Sequence, residues 1–289
     1  MSEPTIECQE LSRTRAIRVA RFVYSVDRDA GPIEEIYEQH RIVIVYEGAF
    51  QCRTARGREA LVPGSILLAN TGCAHEYLHD SRWAERCVSF AYDPLVFEDI
   101  ARDLGGVSTS FQRLSLAPSA RFAAIAQHLL AGSSAASAEE WAFLLAAEVL
   151  EKQAGAGAKR AAGDATHVER CRAMEACRFI EARASGPLSL TTIARELGLS
   201  PFHFLRSFKR ALGFTPHQYV VQVRLRRAAE LALHTSRPIV EVALAAGFSD
   251  LANFNRSFRK VIGCSPRHLR EGRGAALRHA STAARVIRR

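Results

Sequence analysis

Two groups of side chains near the C-terminus have the types and spacing needed to read nucleic-acid bases. Phe202 and Arg206 lie on one side of a segment in which Phe204, Phe208 and Leu212 recur every four residues. Asn253 and Arg256 hold the matching ground beside Phe254, Phe258 and Ile262. Arginine can bridge the two acceptors on the guanine edge and asparagine can bridge adenine, so Arg206, Arg256 and Asn253 are the candidate base readers. Phe202 suits a thymine methyl equally well as a lid over the core. Lys209, Arg210, Arg259 and Lys260 follow a turn later, where point charges would hold phosphates and fix register.

These side chains need helices to carry them, and the sequence supplies the same helix-turn-helix unit twice. Ile193-Ala194, Leu197-Gly198-Leu199-Ser200 and Leu212-Gly213 are echoed by Val242-Ala243, Ala246-Gly247-Phe248-Ser249 and Ile262-Gly263. The turn glycines are 49 residues apart and the closing glycines 50, so one extra residue falls between the second turn and Phe254. Ser200-Pro201 is a helix start, a capping hydroxyl followed by proline at the first helical position. Asp250 places an acidic group at the second helix start, and Leu251 lies near the apolar stripe and is expected in the core. Between the copies, Tyr219, Val223, Ala228 and Leu231 predict one helix over Pro216–His234. At 1.5 Å per residue it would be roughly 28 Å long, close to the ~34 Å of one duplex turn.

Charge follows the repeat. Residues 167–289 carry 22 Lys and Arg against 8 Asp and Glu, whereas residues 1–166 carry 17 against 22, within a net charge of +9. A basic segment bearing a duplicated helix-turn-helix points to phosphates and not to a membrane surface. No apolar leader or run of eighteen apolar residues occurs, which predicts a cytoplasmic protein without a membrane partner. The seven cysteines are scattered, with no Cys-x-x-Cys pair, which argues against a zinc ribbon or a disulfide framework.

The N-terminal half reads differently. Apolar runs at 42–46, 50–54, 60–62, 65–69 and 86–90 are broken by turn residues such as Pro63-Gly64, predicting an antiparallel, cupin-like β-barrel. Helical spacing then appears at Ala120–Ala131 and Ser137–Lys152, read as a helical hairpin. Gly/Ala-rich 153–166 has the composition of a linker. The expected fold class is α+β in two domains: a barrel and hairpin over 1–152 and an all-α domain over 167–270, followed by a basic tail over 271–289. His40, Glu47, Cys73, His75, His79 and Cys87 are metal-capable types in the barrel. His40 is alone on its strand, however, and His75 and His79 are expected to flank a turn. No resident metal, cofactor or catalytic residue is therefore expected, and a small-molecule pocket is the default for such a barrel.

The double unit resembles the DNA-binding domain of the AraC/XylS family of bacterial transcription regulators. The likeness rests on residues 170–270, above all Ile239, Val242-Ala243, Gly247-Phe248-Ser249-Asp250, Phe254-Asn255-Arg256, Phe258-Arg259-Lys260 and Ser265-Pro266. It implies a seven-helix DNA-binding domain joined to a cupin-like sensing and dimerising domain. The implied partners are promoter DNA, an unidentified effector, RNA polymerase as a further candidate, and a second copy of the chain paired through Phe122–Leu150. Positions that are commonly polar base readers in the family are Leu205, Leu251 and Ala252 here, so the target sequence does not carry over. Two other readings remain open: a metal-cupin enzyme tethered to DNA, and an architectural binder with little sequence preference.

Overall fold

The computed structural model describes residues 5–25, 31–79, 84–130, 135–154 and 165–271. They divide into two compact units, the first holding 5–116 and 129–154, the second 117–128 and 165–271. The loop at 131–134, most of the expected linker (155–164) and the basic tail beyond Glu271 lie outside the described residues.

The first unit is built on two antiparallel sheets. Its strands are β1 (Thr5–Arg13), β2 (Ile17–Ser25), β3 (Ile33–Ile36), β4 (His40–Glu47), β5 (Phe50–Thr54), β6 (Gly57–Leu61), β7 (Ile66–Ala69), β8 (Ala74–His79), β9 (Glu85–Tyr92) and β10 (Ser115–Leu116). One sheet runs β1-β2-β9-β4-β7-β10 and the other β3-β8-β5-β6. Successive side chains on a strand face opposite ways, so Val43 and Val45 of β4 enter a core with Phe50, Cys52, Leu67, Tyr77 and Cys87. Their neighbours Ile42 and Ile44 are equally buried. Helix α1 (Pro94–Asp103) starts at Asp93, whose carboxylate accepts from the amides of Leu95 and Val96. Helix α3 (Ala135–Ala154) packs on β1, β2 and α1.

The structure departs from expectation at β8. His75 and His79 do not flank a turn; both lie on that strand, four residues apart, so they share a face with Tyr77. The two helices read as a hairpin both form, on either side of residues 131–134. Most of α2 (Ala120–Leu130) belongs to the second unit, where the Ala120 amide donates to Gln222 Oε1 (2.8 Å) and buried Arg121 donates to the Ile262 carbonyl (2.9 Å). Eight of the eleven α2 positions are Ala or a larger apolar residue, so periodicity alone could not say which side would be covered. Phe122, Ile125, Leu144, Leu145 and Val149, expected to pair two subunits, are all buried within the single chain.

The second unit continues with α4 (His167–Arg183), α5 (Leu190–Glu196), α6 (Pro201–Leu212), α7 (Pro216–His234), α8 (Ile239–Ala245), α9 (Leu251–Ile262) and α10 (Pro266–Glu271). Helix α7 is the axis, packing against α4, α6, α8, α9 and α10. It opens with a capping box formed by Thr215 and Gln218. It is pinned to α4 through Glu181, which accepts from Tyr219 Oη (2.7 Å) and from the buried Arg226 guanidinium. Because Arg226 is 8% exposed, removing the Glu181 carboxylate would strip a buried guanidinium of its ion-pair partner on α4. Glu181→Ala is expected to cost about 3–5 kcal/mol, read as the shift in the urea midpoint of helical circular dichroism. A loss under 1 kcal/mol would show that the pair is solvated.

Candidate nucleic-acid interface and barrel cavity

Helices α6 and α9 are built to one plan. Both helix-turn-helix turns close with the same two bonds: Leu199 N to Ala194 O and Gly198 N to Arg195 O, matched by Phe248 N to Ala243 O and Gly247 N to Leu244 O. This is the Schellman pattern that satisfies the last carbonyls of a helix. The next helix starts at Ser200, whose hydroxyl accepts from His203 N, and at Asp250, whose carboxylate accepts from Ala252 N and Asn253 N. The extra residue of the second copy therefore sits between turn and cap, and the two helices are equivalent from the cap onward. Phe204 and Phe208 are buried with ring centroids 5.4 Å apart, and Phe254 and Phe258 repeat both the burial and the distance.

The faces turned away from these pairs carry the expected chemistry. Arg206 and Arg256, each six residues after its cap, are exposed, as are Lys209, Arg259 and Lys260. Phe202 is 74% exposed, an unusual state for a ring with a core beside it. Asn253 is exposed, and its side-chain oxygen accepts from Ser257 Oγ at 3.3 Å, which orients the amide. Two expectations change. Leu251 is 40% exposed at the first turn of α9 and stands outside the core. Arg210 forms an ion pair with Glu169 of α4, so its charge is already met within the unit. The helix equivalence adds a residue: exposed His203 occupies the place that Asn253 holds in the second copy. The signal was in the sequence, since both are three residues after a cap.

In the barrel, the metal-capable residues scatter. His40 stacks on Phe97 (centroids 4.9 Å apart) and burial lowers its pKa. His75 Nδ1 meets the Cys73 carbonyl at 3.0 Å, and burial lowers its pKa too. Glu47 pairs with Arg86, and His79 Nδ1 lies 2.5 Å from Glu85 Oε2. Among the described residues no three His, Cys, Asp or Glu side chains converge as metal donors. Burial raises the thiol pKa of both Cys52 and Cys87, away from the reactive thiolate. Between the inner faces of the two sheets lies a small, part-open cavity, bordered by Tyr24, Tyr37, Arg41, Phe50, His79 and Ser89 among others. Arg41 was not singled out from sequence.

Comparison with known proteins matches a different family model to each half of the chain. The family model described as Helix-turn-helix domain matches residues 193–272, and the model described as AraC-like ligand binding domain matches residues 30–151. The probable transcriptional regulator LumQ of Photobacterium leiognathi is 33% identical over 103 residues, 36% of this chain and 42% of that protein. The HTH-type transcriptional regulator ArgR of Pseudomonas aeruginosa is 33% identical over 99 residues, 34% of this chain and 30% of that protein. The chain thus spans less than half the length of these curated relatives. A crystal structure of an AraC-type DNA-binding-domain regulator from Chromobacterium violaceum is 35% identical, covering 37% of this chain and 96% of that one, with a TM-score of 0.35. With a duplicated helix-turn-helix unit behind one family model and a two-sheet barrel behind the other, the chain belongs to the AraC/XylS family of transcription regulators.

Proposed function

We propose that the chain regulates transcription by binding promoter DNA in a sequence-specific manner, with α6 and α9 in successive major grooves and a small-molecule effector in the barrel. One observation carries the DNA reading: two equivalent capped helices, each burying a Phe pair and presenting an arginine at the same position. Arg206, Arg256 and Asn253 are assigned to base edges, with Phe202 at a thymine methyl. Lys209, Arg259 and Lys260 are assigned to phosphates. Arg210 takes a weaker share because Glu169 competes for it. Selection of genomic fragments bound by the purified full chain tests this. One motif with two short boxes about a helical turn apart supports it, and featureless recovery with and without candidate effectors would favour an architectural binder.

Phosphate roles have their own signature. Lys209→Ala is expected to weaken binding alike on all sequences and to lower the slope of log affinity against log salt by about 1. Arg210→Ala should change that slope less. Equal slopes would mean that Glu169 releases Arg210 when DNA arrives.

Effector signalling is assigned to α2, because the chain enters the second unit there as well as through 153–166. Its Arg121 bonds the carbonyl that ends α9. The protein is proposed to work in the cytoplasm, as a homodimer whose surface lies elsewhere than on the buried apolar residues of α2 and α3.

A further inference from the structure

We infer that Arg121 is a positioning residue for the second reading helix: by holding the carbonyl that ends α9, it sets how Asn253 and Arg256 meet the bases. This deepens, and rests on, the assignment of α6 and α9 to DNA. The two helices are built alike from cap to closing glycine. Each ends in a left-handed glycine whose amide returns to a carbonyl four residues back, Gly213 to Lys209 and Gly263 to Arg259. Their last carbonyls are held differently. Arg121 of α2, only 6% exposed, donates from Nη1 to the carbonyl of fully buried Ile262 at 2.9 Å. Among the described residues no side chain bonds the matching carbonyl of Leu212.

A helix ends in carbonyls without intrahelical partners and carries partial negative charge there, so a buried guanidinium is a firm anchor at that point. The anchor acts on the reading surface through the length of the helix. At 1.5 Å per residue, Arg256 stands roughly 9 Å and Asn253 roughly 13 Å from Ile262. A tilt of about 5° at that end would move Asn253 by about 1 Å, beyond the ~0.5 Å within which a binding group has to be held. The apolar contacts of Phe254 and Phe258 fix depth rather than direction, because burial of apolar surface is non-directional. A single directed bond at the end of α9 therefore has a large share in its aim. That bond comes from outside the duplicated unit. Arg121 lies in the segment matched by the AraC-like ligand binding domain model, residues 30–151, yet α2 as far as His128 packs within the helical unit. A second bond fixes it there, from the Ala120 amide to Gln222 Oε1 of α7 at 2.8 Å.

The test is a double-variant cycle with the full-length protein on the DNA motif recovered by genomic selection. Arg121→Met removes the donor at similar side-chain length and should weaken motif binding by about 2- to 30-fold. Affinity for unrelated DNA and the slope of log affinity against log salt should not change, because a buried guanidinium meets no phosphate. Arg121→Lys should restore part of the loss. Combined with Arg206→Ala, the two losses should multiply. Combined with Arg256→Ala, the loss should fall well short of the product, since one of the side chains that Arg121 aims is already gone. A purely structural role would lower the urea midpoint and treat both combinations alike. Multiplication in both combinations, equal loss on motif and unrelated DNA, or undiminished motif binding by Arg121→Met would each overturn the inference. If Arg121→Met does not fold, as judged by circular dichroism, Gln222→Ala takes its place by freeing the Ala120 amide. The same pattern is then expected at smaller size, and the same results overturn it. Failure on a recovered motif would leave α6 and α9 as readers, whereas recovery of no motif would overturn that reading and this inference together.

Discussion

Gly247→Ala should unfold the helical unit at a markedly lower urea concentration, at a cost of about 3–5 kcal/mol, whereas Gly198→Ala should cost about 1 kcal/mol. Both glycines turn the chain between paired helices and both lie at positive φ, +96° and +65°. That shared backbone state is the whole penalty at Gly198, because nothing lies within 4 Å of a Cβ added there. At Gly247 the new carbon would be 2.5 Å from the Ala184 carbonyl oxygen and 2.9 Å from Arg224 Nε. Those two atoms are bonded to each other at 2.8 Å, and Arg224 also donates to the Gly186 carbonyl at 2.9 Å. The methyl must therefore push apart the contact that holds the end of α4 against α7, leaving buried carbonyls short of a donor at about 1–3 kcal/mol. Helical circular dichroism is the right probe, since the described residues of the helical unit contain no tryptophan and Trp141 lies in the other unit. Equal costs at the two positions would mean that the Ala184 strap moves freely.

What could be read in the sequence was whatever repeats or alternates strongly. Helices α6, α7 and α9 were legible because their stripes are regular and their caps are Ser, Thr and Asp, residues that stop and start helices by local chemistry. Strand β1 was not, since Thr5–Arg13 is an exposed edge strand whose polar side chains carry almost no alternation. The Arg210–Glu169 pair and the anchoring of α2 by Arg121 join residues far apart in sequence, beyond the reach of any local pattern. Arg41 was missed for a subtler reason. In the run Arg41-Ile42-Val43-Ile44-Val45 both strand faces are buried, so the apolar stretch reads as a core strand with a charge at its edge. Counting by twos from Val43 and Val45 puts Arg41 on the inner face, and a charge at an inward position was the available signal.

Arg256→Ala and Arg206→Ala are each expected to cost about 1–3 kcal/mol on the selected DNA site, a loss of roughly 5- to 150-fold, with much smaller losses on unrelated sequence. The two residues occupy one position on two equivalent helices, so an account of one must hold for the other unless the helices engage differently. If α6 and α9 each read a box, the effects should add in the double variant, because separated sites without shared partners combine nearly additively. Binding would then approach the level of nonspecific DNA, where phosphate contacts alone remain. Asn253, oriented by Ser257, gives α9 a second polar reader, while α6 has Phe202 and His203 at its start. The second box should therefore tolerate fewer base changes than the first. Titrations of both single variants and the double on the site, on each box mutated alone and on unrelated DNA separate the cases. A full loss with Arg206→Ala and none with Arg256→Ala would show that α9 stands off the groove. Equal loss on every sequence, with the salt slope lowered by about 1 for each variant, would move both arginines to phosphates and leave base reading to other side chains.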